Sequence, residues 1–288
     1  MLLALDNRPS LRYALQHHIV LLAAWHDSDQ RRKALVNRPR VVVHAVASVD
    51  GRITLAPGVL LLYGDKRWEA VAGSSDEVYE RLKFTYEPQV FLEGSGSFVP
   101  SDAEPEPLPP VDGDSQSLYQ DFLPDDVVQR PGHQGWFTAV DSRGRVRWSY
   151  KEFEGWEGWH LLVWVAHHTP PEYLAYLQRE KIPYLVAGEK RVDLHTALEK
   201  LGSQLGVTSV VSTAGGKLNG ALLRAGLVDE ISIEFFPAVI GGFETPALFD
   251  APALKPDEWP TRLKLISAQV QAEGRVWLRY EVVSEHVS

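Results

Sequence analysis

Residues 208–236 read TSVVSTAGGKLNGALLRAGLVDEISIEFF, and their pattern decides the fold class. Thr208 to Ser212 is a short β-branched run stopped by a glycine-rich turn, which predicts a strand. Gly215-Gly216 leads into a segment with Leu218, Leu222 and Leu223 at helical spacing, and Gly226 supplies the C-terminal stop. Ile231, Ile233 and Phe235 then alternate with polar residues as a second strand. Two strands joined by a helix form a βαβ unit, which predicts parallel pairing.

The same rhythm continues upstream. Leu194, Leu198, Leu201 and Leu205 mark one stripe of a helix, and the chain from residue 183 alternates strand and helix. Thr169-Pro170-Pro171-Glu172 announces another helix, combining an N-cap, early prolines and a box glutamate. Leu161–Ala166, Phe137–Val140, Val90–Leu92 and Val41–Val46 are strand candidates. Ser74-Ser75-Asp76-Glu77 is a capping box ahead of Val78 and Leu82. Downstream, Glu273-Gly274 turns a hairpin with Val276, Leu278, Tyr280 and Val282 on one face. The fold class is therefore α/β, a mostly parallel central sheet flanked by helices with an antiparallel C-terminal hairpin. Residues 1–38 predict an amphipathic helical extension through Leu11, Leu15, Ile19 and Leu22, and 39–288 the main domain. Val99–Gln134, rich in proline and acidic residues, predicts a long loop serving as a lid, an arm or a disordered insertion.

Composition narrows the function classes. The 288 residues are 44% hydrophobic and 23% charged, enough for a large core. With no cysteine, disulfides, thiolate metal sites and cysteine nucleophiles are excluded. The formal net charge of −9 argues against nucleic acid or an anionic membrane as partner and leaves a small-molecule substrate. No leader or membrane-spanning run is evident, so a cytoplasmic location is expected. His17-His18 and His167-His168 lack further ligands at metal spacing, and no metal is expected. Trp148, Trp156, Trp159 and Trp164 read as core or interface rather than a sugar platform.

Three glycine-containing strand exits carry the candidate chemistry. In Ala214-Gly215-Gly216-Lys217-Leu218-Asn219, glycines permit close backbone approach and the helix start favours an anion such as a pyrophosphate. A ligand-free tight turn explains the same residues, and the pattern is not the six-residue dinucleotide fingerprint. Glu93-Gly94-Ser95-Gly96-Ser97 is a second such exit, and two loops of this kind can hold one dinucleotide from two sides. Ser48-Val49-Asp50-Gly51 is a third, at the kind of strand end where sheet enzymes present polar groups.

Taken together, Ala47-Ser48-Val49-Asp50-Gly51-Arg52-Ile53, the Glu93–Ser97 loop, Asp141-Ser142-Arg143-Gly144-Arg145, the Ala214–Leu218 run, Gly226-Leu227-Val228-Asp229-Glu230 and Pro237 through Gly242 resemble the pyrimidine reductase family of riboflavin biosynthesis. The resemblance spans about residues 39–285 and no deaminase portion accompanies it. It implies a dihydrofolate-reductase-like fold, a homodimer, and NADPH-dependent reduction of a ribosylamino-pyrimidinone phosphate or its aminouracil counterpart. It also implies that Ala47, Gly94, Ser95, Gly96, Ser97, Ser142, Arg143, Gly215, Gly216, Lys217, Leu218 and Asn219 contact the cofactor. Asp50 is then expected beside the nicotinamide as the catalytic group, with Glu93 and Thr213 toward the substrate. Arg143 and Arg145 are candidates for a 2′-phosphate. One departure stands out: Thr213-Ala214-Gly215-Gly216 replaces a common glutamate followed by three glycines, which opens an alternative substrate (a pterin, imine, carbonyl or quinone). A nicotinamide-nucleotide-binding protein without turnover is the reading from another class.

Overall fold

A computed structural model describes residues 38–100, 102–111, 113, 115–149 and 155–283. The helix predicted for the N-terminal extension lies outside them. Nine strands form one sheet: β1 Arg40–Ser48, β2 Val90–Gly94, β3 Gly135–Val140, β4 Trp159–Val165, β5 Tyr184–Val186, β6 Ser209–Ser212, β7 Glu230–Phe236, β8 Arg262–Val270 and β9 Val276–Val283, in the order β5-β4-β3-β2-β6-β1-β7-β9-β8. The first seven are parallel, and β9 and β8 join antiparallel. The sheet is therefore mostly parallel with an antiparallel C-terminal hairpin, as the sequence predicts.

The longer helices are α1 Lys66–Ala72, α2 Ser75–Tyr86, α3 Pro171–Arg179, α4 Leu194–Leu205 and α5 Gly216–Arg224. Local chemistry explains their ends. Ser74 caps α2 by accepting from Asp76 N at 3.2 Å, and Asp193 caps α4 by accepting from Thr196 N at 2.8 Å. Gly206 closes α4 in the left-handed region at φ 66°. At α3 the expected cap is displaced: Pro170 holds the N-cap position, while Thr169 Oγ1 accepts from Ala166 N and donates to the Ser142 carbonyl. Thr169 thus ties two strand exits together instead of starting the helix. The short α1, capped by Asp65, was not foreseen.

One face of the sheet is mainly apolar, with Thr138, His160 and Ser212 as buried polar residues on it. Val41, Val43, Val90, Leu92, Trp136, Leu162 and Trp164 pack there against Ala197, Leu198 and Leu201 of α4 and Leu222 of α5. The other face is divided. Tyr173, Leu174 and Leu177 of α3 cover Ala139, Leu161, Val163 and Val165, and Val78, Leu82 and Tyr86 of α2 cover Val42, Phe91 and Val211. Trp148, Trp159 and Trp164 are buried, and Trp156 joins rings with Tyr79, Phe91, Phe137 and Trp159. These tryptophans are core.

On that divided face β7 presents charge. Glu230 is bound by Arg40, by Tyr86 Oη at 2.7 Å and by Arg279 Nε at 2.7 Å, while Glu234 pairs with Arg81 and with Arg275 at 3.2 Å. Both carboxylates are buried. In the hairpin, Leu278 and Tyr280 pair beside Ile233 and Ile231 and Val282 packs on the core, while Trp277 on the opposite face is buried and donates to Ser232 Oγ at 2.8 Å.

The acidic insertion is partly structured and covers an edge. Phe122 and Tyr184 exchange two backbone hydrogen bonds of 2.9 Å each, and Asp121 accepts from Val186 N and from Lys200. Helical turns occur at Gln116–Tyr119 and Asp125–Val128. Pairing Phe122 against β5 blunts a strand edge that would otherwise be open. Among the described residues, no helix is long and apolar enough to cross a membrane.

Candidate functional site

Because β1 to β7 are parallel, their C-terminal ends share one edge of the sheet, the edge where α/β proteins hold ligands. The order β3-β2-β6-β1 brings together the exits at 141–145, 94–97, 213–216 and 48–51. β2 runs into a single 3-10 turn, Ser95–Ser97. A Cβ placed on Gly94 would lie 3.9 Å from Leu218 Cδ2, so this turn packs against the start of α5. The two glycine loops, far apart in sequence, are neighbours.

α5 starts with Gly215 at its N-cap and no capping side chain. Its first amides are therefore left for another acceptor, and the helix dipole adds partial positive charge. Gly215 and Lys217 are exposed, and a Cβ at Gly215 or at Gly96 would meet nothing within 4 Å. Here the backbone faces open space.

Other residues named from the sequence do different work. A Cβ on Gly216 would stand 2.0 Å from the Ala247 carbonyl oxygen and 2.8 Å from Asp250 Oδ2, so this position is glycine because the 247–250 segment packs against it. Asn219 is fully buried; its amide accepts from Ser212 Oγ at 2.8 Å and donates to the Ala214 carbonyl at 2.7 Å. It shapes the loop from inside, away from the exposed backbone at Gly215 and Lys217. Ala47 is likewise buried at the end of β1. Ser142 Oγ accepts from Val192 N at 3.0 Å, and Arg145 is spent on the carbonyls of Pro100 and Ala103, fastening the insertion. Of the two candidate arginines only Arg143 is exposed.

Glu93, the last inward residue of β2, is buried at 6% exposure. Ser97 Oγ donates to its Oε2 at 2.6 Å and Thr213 Oγ1 to its Oε1 at 2.5 Å. Tyr79 of α2 brings its hydroxyl to 3.4 Å from Thr213 Oγ1. Burial raises the Glu93 pKa against the lowering effect of these hydroxyls, and burial together with the Glu93 charge raises that of Tyr79.

Asp50 has a separate set of partners. It accepts from Ser48 Oγ at 2.6 Å, Ile240 N at 3.1 Å and Gly241 N at 2.7 Å. Those bonds, the Ser48 hydroxyl first, hold its pKa down to about 2. Near neutral pH it is a carboxylate that latches the 240–241 segment to the β1 exit, with no proton to donate.

Comparison with known proteins places this geometry. The family model described as the RibD C-terminal domain matches residues 115–277, more than half of the chain. The chain belongs to that family. A Methanothermobacter thermautotrophicus protein named 2,5-diamino-6-ribosylamino-4(3H)-pyrimidinone 5′-phosphate reductase is 25% identical over 79% of this chain and 90% of its own length. The protein of the same name from Archaeoglobus fulgidus is 28% identical over 74% of this chain and 87% of its own. A solved pyrimidine reductase-like protein of Corynebacterium diphtheriae superposes with a TM-score of 0.57 at 18% identity, covering 86% of this chain and 94% of that one. Acinetobacter baumannii RibD gives 0.54 at 20% identity, over 86% of this chain and 58% of its own. These superpositions establish the dihydrofolate-reductase-like fold.

Within this RibD C-terminal domain, sequence reasoning found the loops but missed Tyr79, which carries no local signal beyond its place beside Val78 on a recognised helix. Nor does any local pattern join Asp50 to Ile240 and Gly241. No group of histidine, aspartate or glutamate among the described residues could hold a metal ion.

Proposed function

We propose that this protein is an NADPH-dependent reductase of riboflavin biosynthesis, reducing the ribosylamino group of a diaminopyrimidinone phosphate to a ribitylamino chain. The observation that carries the reading is the pairing of two open glycine turns, Gly94–Ser97 and Gly215–Lys217, at the edge beside Ser48–Gly51. The names of the archaeal relatives, which this chain matches over most of their length, support the substrate class.

The residues fit a dinucleotide. The uncapped start of α5 and Lys217 suit its pyrophosphate, Gly96 and Gly215 leave room for it, and exposed Arg143 suits a 2′-phosphate. The bound reduced nicotinamide supplies the hydride. The chain's own task is to bind, to orient and to exclude water. Asp50 contributes by fixing the 240–241 segment as one wall of the substrate region, ionised throughout the working pH range.

Purified protein incubated with NADPH and the diaminopyrimidinone phosphate tests this by mass spectrometry. The expected product is two hydrogens heavier than the substrate, with one NADPH consumed for each and slower turnover with NADH. An unchanged pyrimidinone alongside reduction of a pterin or quinone would transfer the site to another substrate.

A further inference from the structure

Glu93 is an expensive residue to keep where it is. Its neighbours on the same face of the sheet are Phe91, Ala139 and Val211, all buried and apolar. Among the described residues no cation pairs with it, in contrast to Glu230 and Glu234, each of which holds two arginines. Moving a carboxylate out of water costs several kcal/mol unless a partner compensates. Its side-chain hydrogen-bond partners are the hydroxyls of Ser97 and Thr213, and an apolar side chain would fill the same space at less cost.

The geometry of those hydroxyls is informative. Ser97 donates to one carboxylate oxygen and Thr213 to the other, so the group is gripped from both sides. Each oxygen of an ionised carboxylate accepts about two hydrogen bonds, which leaves acceptor capacity on both. Ser97 belongs to one glycine loop and Thr213 immediately precedes the other. The unused acceptors are therefore placed where the two loops meet, next to the strand end that carries Ser48 and Asp50.

We propose that Glu93 is the substrate-recognising carboxylate of this protein, accepting the N–H donors of an amino-pyrimidinone ring, with Ser97, Thr213 and Tyr79 as the residues that position it. This rests on the reductase reading above and adds the group that selects the substrate. An aminopyrimidinone is rich in N–H donors, and a carboxylate is an acceptor only. The arrangement also gives a meaning to Thr213: this chain carries its site carboxylate on β2 and places a short hydroxyl residue opposite it on the β6 exit.

The test uses Glu93→Gln, which keeps the shape and removes the charge, and the double variant Glu93→Gln/Thr213→Glu, which returns a carboxylate from the adjacent strand exit. Loss of a charge-assisted hydrogen bond predicts a roughly 10- to 100-fold fall in kcat/KM for Glu93→Gln. Most of it should appear in KM, NADPH affinity should stay within about twofold, and the double variant should recover at least part of the loss. Calorimetric binding of the diaminopyrimidinone phosphate, with oxidised cofactor present, separates this proposal from the reductase reading. Absence of wild-type binding contradicts both. Binding that Glu93→Gln leaves unchanged, NADPH affinity that falls in step, or a double variant no better than the single one contradicts the Glu93 assignment alone.

Discussion

Gly215→Asp is expected to weaken NADPH binding by on the order of 100-fold or more while leaving the protein folded and slightly more stable. The opposite signs come from one position. Gly215 is the N-cap of α5, and aspartate there is a better cap than glycine by a few tenths of a kcal/mol. Its carboxylate would take the same amides that a pyrophosphate needs and would repel that anion. A Cβ meets nothing within 4 Å, so no clash obscures the result. Gly216→Ala is the contrast. Its methyl group would press on the Ala247 carbonyl at 2.0 Å, costing about 1–3 kcal/mol of stability through displacement of the 247–250 segment. Isothermal titration and thermal melts of the two variants check the pair. Normal NADPH affinity in folded Gly215→Asp would remove the α5 start from the site.

Glu230→Ala is expected to be the most destabilising of the single substitutions considered. The carboxylate is buried at 1% exposure and shared by Arg40, Arg279 and Tyr86, which join β1, β9 and the end of α2. Removing the one anion of a buried cluster costs roughly 3–5 kcal/mol, because the cations remain. In a domain of this size that lowers Tm by on the order of 10 °C. Differential scanning calorimetry measures it, and a shift of about 2 °C or less would mean that the cluster is solvated in the native protein. The consequence reaches function through α2, which also carries Tyr79.

How far the sequence could be read depended on the range of the interaction. The β6-α5-β7 unit was legible because its glycines, leucine spacing and alternating strand are all local signals. The same locality made Gly215 and Gly216 look equivalent: only the path of residues 247–250 distinguishes an open glycine from a packed one. Asn219 follows the glycine turn and so resembles a ligand contact, but it is fully buried and holds Ser212 and Ala214. The place of Asp50 at a strand exit is legible locally, while its partners Ile240 and Gly241 belong to a distant turn. The charged face of β7 was the least visible. Glu230 and Glu234 alternate with apolar residues as they would on a solvated strand, and only the arrival of Arg40, Arg81, Arg275 and Arg279 shows that they are inside. The prolines of the insertion suggested a loop, whereas Asp121 and Phe122 attach it to β5 through backbone bonds that composition does not encode.

A nicotinamide nucleotide held at the shared edge of β1, β2 and β6 is checked by titrating the purified protein with NADPH. Saturable binding of one NADPH per chain is expected, tighter than NADH and lost in Gly215→Asp. No saturable binding by the folded wild-type protein would contradict it.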